Sequence, residues 1–415
     1  MLQRKSLTRI LAALLCLVLM ISMIGCSKEG DPGTNDVVEE TAQGVTDTTI
    51  RIGSMGALSG ALAFISVPFV HGMEAYFKKV NDEGGIHGRK IELVVKDDEF
   101  DPAKSLQAME SLIYDEKVFA IVGQGGTPNV MATMDIVKEV GIPSVYFGSG
   151  AAALTTAGPN FFPVQPTYDY EGKLLTKFAI DHFKAEKIVV LYQNDDVGRD
   201  GLSGITQALE ILNKKDAVAE EGKIAFGASD TDFAVQVQKA KNLDPDAIIL
   251  YGLSGAAGGI LKEMEKIGLN VPTLTTYSNA DPSFANLIGP AAPNAILNLY
   301  ATGWSAIDDL EKMEPYYEMQ EKYFPGEQIN AFTTAGWVAA ETFVAGLRNA
   351  GENPTWESYI KGMESVKFTG GLTPKIIYGP GVRQGVSEMN LYQFKKDEAS
   401  GTFVIEEVVG YTSFK

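Results

Sequence analysis

The sequence predicts an α/β fold made of two doubly wound, parallel-sheet lobes, and three observations support this. A chain of 415 residues with 45% hydrophobic content is long enough for two domains that each bury a core. From Thr48 onward, short apolar runs alternate with amphipathic stretches, as in repeated β-α units. An irregular stretch with Pro159, Pro163 and Pro166 interrupts the alternation, which then starts again.

The first half alternates regularly between the two patterns. One predicted helix carries Val70, Met73, Phe77 and Val80 on a single face. The other predicted segments are strands at 50–54, 91–96, 119–122 and 144–147, and helices at 102–115 and 128–139. Four strands linked by helices predict the sheet of a first lobe.

The second half repeats the pattern and then changes. Its predicted strands lie at 187–192, 218–224, 246–251 and 273–276, with helices starting at Tyr170 and Gly198. From Ile296 onward we predict helices near 309–323, 333–349 and 355–363 and short strands near Ile376, Leu391 and Phe403. This region has too little strand for a third sheet, so we expect it to complete both lobes through three crossovers.

The resulting domain division is 48–166 plus 299–382 for lobe 1 and 167–298 plus 383–415 for lobe 2. Parallel sheets of this kind bind ligands beyond the carboxyl ends of their strands. We therefore expect a ligand site in the cleft between the lobes.

The N-terminus has the features of an export signal. Arg4, Lys5 and Arg9 precede a largely apolar stretch at 10–24, which is short for a membrane span and suits a signal peptide. The following Ser22-Met23-Ile24-Gly25-Cys26 resembles a bacterial lipobox and implies a lipid on Cys26. Residues 1–25 are then a signal peptide and 26–47 a flexible tether, which predicts a lipid-anchored protein on the outer face of the cytoplasmic membrane.

Charge and motifs exclude several functions. A formal charge of -18 makes nucleic acid and anionic lipid headgroups poor partners. His71, His87 and His182 lie far apart and have no metal-ligand spacing. The sequence has no Gly-x-Ser-x-Gly elbow, Walker loop or dinucleotide fingerprint, so it predicts no enzyme activity, no cofactor and no metal.

The most informative segment for ligand binding joins a strand to a helix at 122–129. Gly125 and Gly126 precede Thr127, which we expect to cap the helix, and Pro128, which we expect at its first position. Free amides at such a start favour an anionic group, although an ordinary capped turn would have the same sequence. Gly148 and Ser149 follow the next strand, and Asp196 follows a strand of the second half, where a cleft position and a plain turn are equally compatible.

Four segments carry a family resemblance. The run from Gly85 to Asp98 with Asp101-Pro102, and then 141–144, 194–198 and 232–233, resemble the leucine/isoleucine/valine-binding protein family of ABC transporters, in the same order. The resemblance extends from about Thr48 to the C-terminus. It implies two lobes that close on a ligand, delivery to a membrane permease, and type I periplasmic binding protein architecture.

The resemblance also implies site residues. Thr127 matches the residue that holds an amino acid carboxylate, Ser149 stands beside the second hydroxyl position, and the Gly148 carbonyl matches the ammonium acceptor. Tyr277 occupies the position of the family's acidic residue. Tyr168, Ser254 and Phe332 match further cleft positions, and Phe64 flanks another. Phe100 and Gly126 stand in place of the family's disulfide.

Solute capture for an ABC importer accounts for the anchor, the tether and the lobes together. An anchored sensor domain that signals through a separate protein is the main alternative, and a lipoprotein hydrolase lacks a nucleophile-base pair in the sequence. Because Tyr277 is not acidic, we expect a carboxylate or amide ligand rather than a branched-chain amino acid.

Overall fold

The first lobe is built on a five-stranded parallel sheet with the order β2-β1-β3-β4-β5. The computed structural model describes residues 42–60, 62–305, 310–327, 329–368 and 371–414. The strands of the first lobe are β1 Thr49–Gly56, β2 Lys90–Asp97, β3 Ile121–Gly125, β4 Ser144–Gly148 and β5 Phe161–Phe162. Its first three helices are α1 Ala63–Asp82, α2 Pro102–Glu110 and α3 Thr127–Val140. Buried apolar strand residues such as Ile52 and Val122 form the core between sheet and helices.

The second lobe is built on a seven-stranded sheet with the order β14-β13-β10-β9-β8-β6-β7. Its first strands are β6 Ile188–Gln193, β7 Lys223–Phe226, β8 Ala247–Tyr251, β9 Thr273–Thr275 and β10 Leu299–Gly303, which pair in parallel. Its helices are α4 Tyr168–Asp181, α5 Asp196–Ile211, α6 Ala234–Asn242, α7 Ser254–Ile267, α8 Pro282–Ile288 and α9 Pro293–Leu297. None of the helices within the described residues is both long and apolar enough to cross a membrane.

The last part of the chain returns to both lobes. Helices α10 Leu310–Tyr323 and α11 Ala331–Asn349 pack on α1, and α12 Trp356–Glu364 packs on α11. A two-stranded sheet, β11 Lys367–Phe368 with β12 Ile376–Ile377, follows. Strands β13 Met389–Lys396 and β14 Phe403–Thr412 then join the second sheet antiparallel. The chain thus passes between the lobes three times, after β5, after β10 and before β13, and the predicted fold class is confirmed.

Some predicted boundaries differ from the structure. Residues 299–303, assigned from sequence to lobe 1, form β10 of the second sheet. Strand β7 begins at Lys223 because short 3-10 turns occupy 215–217 and 220–222. The Gln43 side chain donates to the Val118 carbonyl at 2.9 Å, so the last residues of the predicted tether lie against lobe 1. Cys26 and the signal peptide lie outside the described residues.

Each lobe contains a helix pair packed closely through glycine. In lobe 1, α1 and α11 meet where a Cβ atom on Gly336 would overlap the Phe69 carbonyl oxygen. In lobe 2, α4 and α5 meet where a Cβ atom on Gly204 would overlap the Asp169 carbonyl oxygen. The absence of a side chain at these positions sets the distance between the helices.

We expect Gly336→Ala to lower the free energy of unfolding by about 1 to 3 kcal/mol, because the added methyl group forces two packed helices apart. The matched control is Gly255→Ala in α7, since an added Cβ atom there meets no atom within 4 Å. The control should leave stability unchanged or raise it by up to about 1 kcal/mol, because alanine favours helix. Urea denaturation of both variants measures this, and equal stabilities would contradict the packing explanation.

Candidate functional site

The site begins where β3 and β4 end side by side. Gly126 lies between β3 and α3 with φ +85°, and its N–H donates to the Gly148 carbonyl at 3.2 Å. A Cβ atom at position 126 would overlap the Phe100 ring, so both the backbone angle and the space require glycine. This bond joins the two loops that were expected to bind ligand.

The helix start differs from the prediction by one residue. Gly126 occupies the N-cap position of α3, Thr127 is the first helical residue, and α3 has no side-chain cap. The predicted capping role of Thr127 is therefore wrong. Its hydroxyl points instead to two other hydroxyl groups, and the first amides of α3 have no acceptor within the helix.

Thr127, Ser149 and Tyr168 form a buried hydroxyl cluster. The Thr127 Oγ1 atom lies 2.8 Å from Ser149 Oγ and 3.1 Å from the Tyr168 hydroxyl oxygen. All three residues are buried. Burial also raises the pKa of the Tyr168 phenol, which keeps its proton. The cluster therefore places neutral O–H groups, each able to rotate its proton toward an anion, beside a helix N-terminus.

The hydroxyl cluster joins the two lobes. Thr127 and Ser149 belong to lobe 1, whereas Tyr168 is the first residue of α4 in lobe 2. The Tyr168 N–H donates to the Gly150 carbonyl at 2.7 Å. A Cβ atom on Gly150 would lie 2.7 Å from the Tyr168 ring, so glycine at this position allows the ring to approach the loop.

A continuous set of aromatic rings extends from the cluster. The Tyr168 and Tyr277 ring centroids are 6.4 Å apart with planes at 21°, and Tyr277 meets Trp304 edge-on at 6.4 Å. The ring centroids of Trp304 and Tyr146 are 6.3 Å apart, and those of Tyr146 and Phe69 are 5.2 Å apart. We call these five residues, Phe69, Tyr146, Tyr168, Tyr277 and Trp304, the aromatic wall.

Gln165 connects two members of the aromatic wall. The Tyr146 hydroxyl donates to Gln165 Oε1 at 3.1 Å, and Gln165 Nε2 donates to the Tyr277 hydroxyl oxygen at 2.7 Å. Gln165 lies on the first crossover, between a lobe 1 tyrosine and a lobe 2 tyrosine. The Gln165 side-chain amide therefore links Tyr146 of lobe 1 to Tyr277 of lobe 2.

Sequence analysis did not identify Phe69, Tyr146, Gln165 or Trp304. One signal was available, because Tyr146 lies near the carboxyl end of the predicted strand at 144–147. Trp304 directly follows β10, a strand that was not predicted. Tyr146 also has φ +59°, a left-handed angle that is uncommon for a residue other than glycine.

The other predicted site residues have partners outside the hydroxyl cluster. The Ser254 hydroxyl donates to Asn279 Oδ1 at 2.9 Å, which ties the start of α7 to the loop that carries Tyr277. Phe64 is 61% exposed and meets Phe332 edge-on at 6.3 Å. Asp196 is exposed and pairs with Arg199 of its own helix at 3.1 Å.

The buried carboxylates of Glu171 and Asp281 already have donors. Glu171 is fully buried and accepts from the Tyr251 hydroxyl at 2.6 Å, from the Tyr277 N–H at 2.7 Å and from the Thr302 hydroxyl. Burial raises the pKa of the Glu171 carboxyl. Asp281 accepts from the backbone N–H groups of Ser283 and Ala331. Within the described ranges, no group of acidic, histidine or cysteine side chains could hold a metal ion.

Two surface grooves do not include the hydroxyl cluster among their lining residues. One, of about 560 Å³, is lined by residues such as Thr155, Lys173 and Arg383, and the other, of about 490 Å³, lies along α5 beside Tyr192. Neither includes Thr127, Ser149 or Tyr277.

Comparison with known proteins identifies the family. Residues 49–399 match the family model described as periplasmic binding protein. The chain belongs to the periplasmic binding protein family. Members of this family bind solutes outside the cytoplasm and do not transform them, so this chain is a solute-binding protein and not an enzyme.

Named relatives are distant. A Leu/Ile/Val-binding protein homolog 1 of Brucella suis is 23% identical over 301 residues, which cover 72% of this chain and 78% of the relative. A fatty acid ABC transporter substrate-binding protein from Thermomonospora curvata superposes with TM-score 0.75 at 24% identity, over 89% of this chain and 94% of its own. A solute binding protein of an ABC transporter from Rhodopseudomonas palustris, in complex with 3,4-dihydroxy benzoic acid, gives TM-score 0.74 at 20% identity, over 88% and 97%. At these identities the structures establish the two-lobed fold.

We expect Thr127→Val to weaken binding of a carboxylate solute by more than about tenfold, because a hydrogen bond to a charged group contributes about 1.5 to 3 kcal/mol. Thr127→Ser keeps the hydroxyl and should retain most of the affinity. The same Val variant should also destabilise the empty protein by about 1 to 3 kcal/mol, since Ser149 and Tyr168 each lose a buried partner.

The matched control is Thr206→Val, because the Thr206 hydroxyl is exposed and bonds only within α5, to the Leu202 carbonyl at 2.9 Å. Calorimetry compares the affinities of the three variants. If Thr127→Val binds as tightly as the parent protein, Thr127 does not contact the ligand.

Proposed function

We propose that this binding protein is a lipid-anchored receptor that delivers a small organic carboxylate, or a related amide, to the permease of an ABC importer of the branched-chain amino acid type. The observation that carries the proposal is the neutral character of the site. The hydroxyl cluster and the start of α3 suit an anionic group, and the aromatic wall suits an apolar body.

Electrostatics disfavour an α-amino acid as the ligand. A buried ammonium group requires a carboxylate or several acceptors, because an unpaired buried charge costs several kcal/mol. Tyr277 offers a phenol where the family has an acid. Glu171 already accepts from three donors. Asp281 accepts from two backbone amides, Asp200 accepts from the Ala152 amide, and Asp196 pairs with Arg199 at the surface.

The names of the similar proteins agree with a carboxylate. Leucine, isoleucine, valine, fatty acids and 3,4-dihydroxybenzoic acid all carry a carboxyl group, but they differ in the rest of the molecule. Since only the amino acids among them carry an ammonium group, the loss of the acidic position favours the other two classes.

We expect benzoate, 3,4-dihydroxybenzoate or a medium-chain fatty acid to raise the melting temperature more than leucine, isoleucine or valine does. A ligand at about 100 times its dissociation constant adds roughly 2.7 kcal/mol to stability. The protein is first unfolded and refolded to remove carried-over ligand, and benzamide serves as the uncharged match for benzoate. Submicromolar binding of any branched-chain amino acid would contradict this assignment.

We expect the mature protein to begin at Cys26 with a lipid attached, since the lipobox-like segment precedes this cysteine. Wild-type protein should partition with membranes, and Cys26→Ala should be released in soluble form. Intact-mass analysis and membrane fractionation test both points. An unmodified Cys26, or cleavage at another bond, would exclude the anchor without affecting the ligand assignment.

A further inference from the structure

Asp281 caps a helix of lobe 2. It occupies the N-cap position of α8, with Pro282 as the first helical residue, and its Oδ1 atom accepts from the Ser283 N–H at 2.7 Å. Pro282 has no N–H group to satisfy. One carboxylate oxygen is therefore sufficient for this cap.

The other carboxylate oxygen reaches lobe 1. Asp281 Oδ2 accepts from the backbone N–H of Ala331 at 2.9 Å, and Ala331 is the first residue of α11. The cap of α11 is Asn330, whose side chain accepts from the Phe332 and Thr333 N–H groups. Asp281 thus binds the amide that the cap of α11 does not use, and a single carboxylate joins the N-termini of two helices in different lobes.

The geometry makes this bond dependent on lobe closure. Helix N-termini carry partial positive charge, and hydrogen bonds to an ionised acceptor are stronger than neutral ones. Asp281 is 9% exposed, so water competes weakly for the carboxylate. If the lobes separate, the Ala331 bond must break, whereas the Ser283 bond stays within lobe 2.

A second carboxylate, that of Asp200, also accepts a hydrogen bond across the cleft, and its pKa is raised. Asp200 of α5 accepts from the Ala152 N–H of lobe 1 at 2.9 Å. Burial raises the pKa of the Asp200 carboxyl despite this bond, with Asp169 and Asp196 opposing its charge and Arg199 favouring it. The Ala152 bond favours the charged form of Asp200, but burial outweighs it. Asp281 joins two helix N-termini, so we take its contact as the candidate for stabilising closure.

We propose that Asp281 is a positioning residue that holds the lobes closed through Ala331 without contacting the ligand. This inference rests on the proposed function, in which the lobes close on a solute. Ligand affinity scales with the fraction of molecules in the binding-competent closed form. Asp281 then sets the affinity for every ligand by a common factor and leaves the preference between ligands unchanged.

The chain offers a matched control in Asp101. Asp101 also precedes a proline and caps its own helix, α2, through the N–H groups of Ala103 and Lys104. Both aspartates can be replaced by serine, which is itself a good N-cap. Only Asp281→Ser removes a bond between the lobes, so a purely structural role predicts equal effects for the two variants.

The test uses the full mature chain with Cys26→Ser and spin labels at Gln107→Cys in lobe 1 and Val235→Cys in lobe 2, both at exposed helical positions. Pulsed electron paramagnetic resonance measures the distance between the two spin labels in refolded, ligand-free protein. We expect the parent chain to show a short-distance population, Asp281→Ser to reduce the ratio of short to long distances by about tenfold, and Asp101→Ser to leave it unchanged.

A single long distance in the parent chain would overturn the proposal, and so would equal distributions in Asp281→Ser and the parent. Should Asp281→Ser fail to fold, Asp281→Asn provides the same comparison, because asparagine also caps helices but carries no charge. This experiment contains no ligand, so it tests the contact between Asp281 and Ala331 separately from the ligand class. The ligand class is tested by the solute screen.

Discussion

The contact of Tyr168 with Thr127 is the interaction on which the rest of the site depends. It brings the first residue of a lobe 2 helix to the first residue of a lobe 1 helix, with the two hydroxyl oxygens 3.1 Å apart. The contact is possible because Gly126 turns the chain into α3 and Gly150 leaves room for the Tyr168 ring. Without these glycines, the loops after β3 and β4 would hold the tyrosine away from the cluster.

The electrically neutral character of the candidate site follows from the same arrangement. The cluster contains hydroxyl groups, the crossover contributes the Gln165 amide, and the aromatic wall contributes rings and phenols with their protons retained. The fully buried carboxyl of Glu171 faces the donors Tyr251, Tyr277 and Thr302. A site of this composition stabilises a negative group through oriented dipoles and offers little to a positive one.

Much of the fold could be predicted from sequence, because short apolar runs and amphipathic stretches have different periods. Strand β10 was not predicted, because Leu299–Gly303 is short. Its pairing partners, β9 before it and β13 after it, are both distant in sequence. Its place in the second sheet depends on tertiary pairing, which a local pattern does not encode. The start of α3 was predicted to within one residue, but the direction of the Thr127 hydroxyl depends on Ser149 and Tyr168.

The site was predictable only in part for the same reason. Thr127, Ser149, Tyr168 and Tyr277 follow strands or a crossover, so position and resemblance were enough to name them as candidates. Trp304 follows a strand that the sequence did not predict, and Phe69 lies in an ordinary predicted helix. Only the folded chain brings both residues to Tyr146. The bond from Asp281 to Ala331 joins residues that are distant in sequence, so sequence spacing gave no sign of it.

The central claim is that a ligand carboxylate binds the hydroxyl cluster while its apolar part packs on the aromatic wall. A crystal structure with the tightest-binding solute from the screen tests this most directly. The account predicts a carboxylate oxygen within about 2.6 to 3.2 Å of Thr127 Oγ1 and of a second hydroxyl, with the ligand body against Tyr277. A ligand ammonium group paired with an acid in the cleft, or a ligand bound away from Thr127, would contradict it.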